Sequence, residues 1–200
     1  YIQMDMYNLK ELVTRLIAGS SIEINPDKFQ NDMTTFARAD DVLTLLVHLG
    51  YLTYDFDTCT VHIPNQEVQK EFINCIEDGG WEPVMDAIRK SEELLAATIR
   101  GEEETVARMI ENAHQENTSI LAYNDENSLA CVISLAYYSA KKNYVIYREL
   151  VGGKGFADQV FIPRKTTQAP AIVVELKRNQ TADAAIDQIK RKEYVQSLKD

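Results

Sequence analysis

The chain has 200 residues, of which 45% are hydrophobic and 26% charged, and its formal net charge is −10. That is the make-up of an ordinary folded chain, long enough for one large core or two small ones. It excludes a helical membrane span, because no run of about eighteen apolar residues occurs, and it argues against a chain that binds polyanions over its whole surface.

The cysteines Cys59, Cys75 and Cys131 are odd in number and widely spaced. They read as reduced core thiols, not as a disulfide frame or a zinc site, which sets the expected compartment as the cytoplasm. The histidines His48, His62 and His114 are assigned surface or packing roles. The opening Tyr1-Ile2-Gln3-Met4 has neither an initiating methionine nor a basic-then-apolar leader, so the expectation is a fragment of a longer protein. No glycine starts a Gly-x-x-x-x-Gly-Lys-Ser/Thr string, and ATP hydrolysis is therefore not assigned to these residues.

In chain order, apolar periodicity predicts a helix over 9–18, ended by Gly19-Ser20-Ser21, and a short strand over 22–24. A second helix over 39–49 starts beside Asp40 and Asp41 and stops at Gly50. Two strands, 51–54 and 60–63, flank the turn Asp55-Phe56-Asp57, and a helix follows over 65–76. The segments 83–98 and 102–114 read as a helical pair hinged at Arg100-Gly101, with Pro83 suited to a first turn and Gly101 to a helix end. Leu94, Leu95, Val106, Met109 and Ile110 are its expected core positions, and Glu92, Glu93, Glu102, Glu103 and Glu104 its solvated face. The domain boundary is placed near Gly79-Gly80.

The C-terminal part reads helix, strand, strand, strand, helix. A helix over 125–140 has Glu126 in its first turn. Strands over 143–150 and 156–163 surround the turn Gly152-Gly153-Lys154-Gly155, whose glycines tolerate the positive φ of a hairpin turn. Asp158 then falls on the strand face of Phe156, Val160 and Ile162, apolar company in which a carboxylate needs a partner or a metal. The next strand is the apolar run Ala171-Ile172-Val173-Val174 ending in Glu175-Leu176-Lys177. Side chains two apart on a strand share a face, so Glu175 and Lys177 lie about 6 to 7 Å apart with Leu176 turned into the core. Of the twelve lysines, Lys177 alone has an acid two positions before it. An acid on one strand with acid-x-lysine on the next is the minimum set for holding a hard divalent cation against a phosphodiester. A final helix over 181–198 is expected to turn Ala182, Ala185, Ile186 and Ile189 inward.

These residues resemble the PD-(D/E)XK nuclease superfamily, a mixed sheet between helices. The closer likeness is to bacterial proteins joining an AAA-type ATPase-like region to a C-terminal PD-(D/E)XK domain. Their Gly-x-Gly-x-x-Asp pattern is met by Gly153, Gly155 and Asp158, and their Glu-x-Lys by Glu175 and Lys177. Their Gln-Ile-x-x-Lys helix pattern with its following tyrosine is met by Gln188, Ile189, Lys192 and Tyr194. Phe156 stands where that group usually has arginine. The stretch Leu49-Gly50-Tyr51-Leu52-Thr53 resembles the one that closes their ATPase-like region, and helices followed by a short hairpin resemble a winged helix.

The resemblance implies an α/β (α+β) fold: a winged-helix-like end of an ATPase-like region over 1–78, a helical connector over 79–116, and a nuclease-like domain over 117–200, with the further strand that the superfamily usually adds after Leu198 expected to be cut off. It implies Mg²⁺ or Mn²⁺ held by Asp158, Glu175 and the Leu176 carbonyl, with Glu126 completing the shell or holding a second ion. Lys177 would orient the attacking water or stabilise developing charge, and Gln188 would steady the site or a phosphate. The expected partners are nucleic acid, DNA first, the upstream ATPase-like region of the same protein, and a protein docking at the N-terminal region, with no membrane. Charge distribution agrees: residues 151–200 carry nine Lys and Arg against six Asp and Glu, while residues 1–150 carry twelve against twenty-five. The rival reading is a non-catalytic nuclease-like module that docks proteins.

Overall fold

The computed structural model describes residues 8–29, 36–79, 81–117, 126–152, 155–177 and 181–192. Among them are seven α-helices and two three-stranded antiparallel sheets, a mixed α+β architecture. The chain divides into two compact units, Tyr1–Ala87 with Glu116–Ala122 and Ile88–Gln115 with Tyr123–Asp200.

In the first unit, helix α1 (Leu9–Ile17) buries Leu9, Val13, Leu16 and Ile17 at helical spacing. Strand β1 (Ile22–Glu23) follows, then α2 (Ala39–His48), whose start is fixed by Asp41: its Oδ2 accepts the backbone N–H groups of Ala37 and Arg38 at 2.8 and 3.0 Å. Gly50, at φ 79°, ends that helix in the left-handed region that glycine adopts without strain. Strands β2 (Thr53–Asp55) and β3 (Thr60–His62) form a hairpin whose turn is held by Asp55 Oδ1, which accepts the N–H of Asp57 and Thr58. The sheet order is β1-β3-β2, with Val61 fully buried at its centre. Helix α3 (Gln66–Asp78) is capped by Asn65, whose Oδ1 accepts from Val68 N at 2.9 Å, and is tied to α1 by Gln69, which donates to the Ile17 carbonyl.

Helix α4 (Glu82–Arg100) and helix α5 (Glu103–Asn117) meet at Gly101, φ 72°. Leu94 and Leu95 are buried as expected, whereas Val106, Met109 and Ile110 are only half-buried. Cys59 is a second departure from expectation. It is exposed, at φ 54° in the β2–β3 turn, where the polar hairpin end leaves it no core to enter; Cys75 is half-buried and Cys131 buried.

The second unit continues with α6 (Glu126–Ala136), a short 3₁₀ turn at Tyr138–Lys142, β4 (Tyr144–Gly152), β5 (Gly155–Pro163), β6 (Ile172–Val174) and α7 (Ala182–Lys192). The expected single helix to residue 140 thus ends at Ala136 and tightens. Strand β5 is central, paired from Tyr144↔Pro163 to Gly152↔Gly155 on one side and with β6 on the other. One face of β5 presents Val160 and Ile162, which pack with Val173 and with Ile189 of α7. The opposite face presents Gln159 and Phe161, against Ala130 and Ser134 of α6 and the ring of Tyr137. The sheet is thereby covered by a helix on each side.

Thr181 caps α7 through Oγ1, which accepts from Ala184 N. The inward positions of α7 are Ala184, Ala185, Gln188 and Ile189; Ala182 is exposed and Ile186 is 46% exposed, correcting two of the four expected. Gln188, which reaches Glu175 from the inner arc, displaces the seam from Ile186. Gly153 and Lys154 of the expected turn, Asp125, Gly80 and the expected helical residues 193–198, Tyr194 included, lie outside the described residues.

Candidate functional site

The geometry begins with the β5–β6 register. Gln159 pairs with Val174, Val160 with Val173 and Phe161 with Ile172. Carried one residue further, that register sets Asp158 across from Glu175, and residues directly opposed in antiparallel strands share a face. The chain leaves the ladder after Val174, and Leu176 turns its backbone N–H to Asp158, donating to Oδ2 at 2.6 Å. The Leu176 side chain is buried, as its place between Glu175 and Lys177 predicts. Oδ1 of Asp158 makes no hydrogen bond among the described residues.

Glu175 is an enclosed carboxylate. Its side chain is 1% exposed, and Oε1 accepts from Lys177 Nζ at 2.6 Å and from the Gln188 amide nitrogen of α7. Its Oε2 is also closed to solvent. The Lys177 side chain is 20% exposed, and its ammonium rests against the carboxylate. A carboxylate removed from water is costly unless charge and hydrogen bonds compensate, and Lys177 and Gln188 supply both.

Four of the expected site residues are therefore placed together. Glu175, Lys177 and Gln188 form one hydrogen-bonded group, and Asp158 is joined to it through the backbone of Leu176. Glu126 is the first residue of α6, as expected, and its side chain lies outside the description. The donors fit a hard divalent cation in kind: carboxylate oxygens from two residues and the Leu176 carbonyl. Among the described residues no group of three or more His, Cys, Asp or Glu is arranged to hold a metal.

Residues 124–200 match the family model of the PD-(D/E)XK nuclease superfamily. The match takes in the sheet β4-β5-β6, α6, α7 and the whole hydrogen-bonded group, and it supports nuclease chemistry in general for the nuclease-like segment. Nucleases of this superfamily generally use divalent metal ions and act on nucleic acid. No curated protein and no solved structure matches the chain. No described helix is long and apolar enough to cross a membrane.

Two features beside the site were not read from the sequence. Gln159 is fully buried next to Asp158, on the α6 face. Glu149 of β4 has φ 52°, and lies between the pairs Arg148↔Gln159 and Leu150↔Ala157, across from Asp158 on the side away from Glu175. A left-handed glutamate inside a strand is a strained conformation. Neither has a sequence signature, since a glutamine or glutamate in a strand is ordinarily a solvated residue.

Proposed function

We propose that residues 117–200 hydrolyse phosphodiester bonds of nucleic acid, DNA in the first instance, with Mg²⁺ or Mn²⁺. The observation that carries this reading is the linked placement of Asp158, Glu175, Lys177 and Gln188 inside the segment that matches a nuclease superfamily. Asp158, Glu175 and the Leu176 carbonyl are the residues to hold the ion, and Glu126, one end of α6, is the further acid for its shell or for a second ion. When bound, the ion lowers the pKa of a coordinated water and neutralises charge at the phosphate. Lys177 sets a compact cation beside the buried carboxylate, where it can orient water or offset developing negative charge. Gln188 fixes the orientation of Glu175. Arg164 and Lys165 after β5, with Lys190 and Arg191 on α7, are exposed and offer a phosphate backbone salt-sensitive contacts.

For residues 1–78 we propose a winged-helix-like end of an ATPase-like region in a bacterial protein, followed by a connector over 79–116. The order α1, β1, α2, β2, β3 with sheet order β1-β3-β2 supports it. Its hairpin carries Asp55, Phe56 and Asp57 at the turn, so packing against protein suits it better than contact with phosphate.

The test incubates the full-length protein with supercoiled plasmid and with single-stranded DNA in Mg²⁺, Mn²⁺ or EDTA, beside Asp158→Ala and Lys177→Ala. Cleavage is expected with either ion, none in EDTA, and a loss of about 100-fold or more in each variant. Cleavage that survives both substitutions would overturn the assignment. Correctly folded protein that cleaves nothing under any ion would favour the docking-module reading.

A further inference from the structure

Gln159 follows Asp158 in β5, and alternation along the strand sends the two side chains to opposite faces. Its amide is completely buried. Nε2 donates to the Ala130 carbonyl at 2.8 Å and to the Ser134 hydroxyl at 2.9 Å, and Ser134 Oγ donates to the same carbonyl at 2.9 Å. A carbonyl only accepts, so the amide nitrogen must be the atom that faces it. Both N–H groups are thereby used. Oε1 is buried and accepts no hydrogen bond among the described residues.

A methionine or leucine would fill this position without leaving a buried oxygen unpartnered, so burial gives no reason for an amide here. What the amide adds is direction. It grips a carbonyl and a hydroxyl one helical turn apart, which fixes both the rotation and the slide of α6 along β5, where apolar packing would tolerate several arrangements. Two groups of the site depend on that register. The Asp158–Gln159 peptide is pinned from behind, and with it the carboxylate that receives the Leu176 N–H. Glu126 lies one turn before Ala130 on the anchored helix.

We propose that Gln159 is a positioning residue of the site, acting through Asp158 and through the seat of α6; this rests on the nuclease reading above. Gln159→Met keeps the volume and removes the grip. Its expected result is a melting temperature unchanged or raised, Mn²⁺ affinity by calorimetry weakened about 10- to 100-fold, and kcat lowered by a similar factor with KM for DNA unchanged. Ser134→Ala, which keeps the Ala130 bond, shifts the same quantities less, and Ser134→Thr restores them.

Gln159→Met with wild-type Mn²⁺ affinity and kcat would overturn the proposal, as would a fall in melting temperature with metal affinity intact, the mark of a merely structural role. Asp158→Asn is measured alongside. If it abolishes binding and cleavage while Gln159→Met behaves as wild type, positioning alone fails; if it changes neither, the nuclease reading fails and takes this inference with it.

Discussion

The sheet β1-β3-β2 and the sheet β4-β5-β6 have the same number of strands and the same antiparallel pairing, yet they bury different things. The first turns Val61 to the interior and has Asp55 exposed beside its turn. The second closes the amide of Gln159 and the carboxylate of Glu175 from water beside its central strand. Charge divides the same way. Residues 1–87 carry fifteen acids against five bases, whereas residues 88–200 carry sixteen of each, so the net charge of the chain resides in the first stretch. A sheet that serves only folding is satisfied by apolar residues facing in. Polar groups held inside the other, at a desolvation cost, are in keeping with the proposed site.

Stability measurements sharpen that contrast. In the first unit, Leu43→Ala removes a side chain with no exposure and should cost about 2–5 kcal/mol in denaturant unfolding. In the second, the double replacement Glu175→Leu with Lys177→Met substitutes apolar groups for an enclosed ion pair, and such exchanges run from neutral to stabilising by about 1–4 kcal/mol. The melting temperature should therefore hold or rise while cleavage is lost. A large destabilisation by the double variant would make the pair a structural feature and break the comparison.

A smaller effect is expected at Lys141, in the 3₁₀ turn. Burial pushes its ammonium down to about 8 from an ordinary 10.5, although the Tyr138 ring lies 4.8 Å from the nitrogen. The folded state then binds fewer protons than the unfolded chain between those values, so this group's destabilising contribution is full below about pH 8 and fades as pH rises towards 10.5. Lys141→Met should raise the melting temperature more at pH 7 than at pH 10; an advantage independent of pH would refute the burial argument. The smallest effect belongs to Phe56, 85% exposed at the β2–β3 turn, where Phe56→Ser should change stability by no more than about 0.5 kcal/mol.

Much of the fold was legible because helix ends and hairpins have local chemistry. Gly50 and Gly101 stop helices at positive φ, Asn65 starts one, and the paired glycines 152 and 155 close the β4–β5 hairpin. The alternation of β5 and the charged end of β6 were likewise readable, and they single out Asp158, Glu175 and Lys177 from the sequence alone. Three things were not readable. Which arc of α7 faces the sheet depends on Gln188 reaching Glu175, a tertiary contact that apolar periodicity does not encode. The depth of Cys59 depends on how the hairpin end sits. Gln159 depends on the distance between β5 and α6, and a glutamine in a strand gives no sign of being buried until the helix that covers it is in place.

The proposed site requires the carboxylates of Asp158 and Glu175 to hold one divalent cation within reach of Lys177. The most direct measurement is anomalous diffraction from crystals of the protein grown with Mn²⁺. The account predicts a manganese peak bound by oxygens of both carboxylates in the wild type and no peak there in Asp158→Asn. A wild-type crystal with that position empty and manganese bound elsewhere, from protein that cleaves DNA, would contradict it.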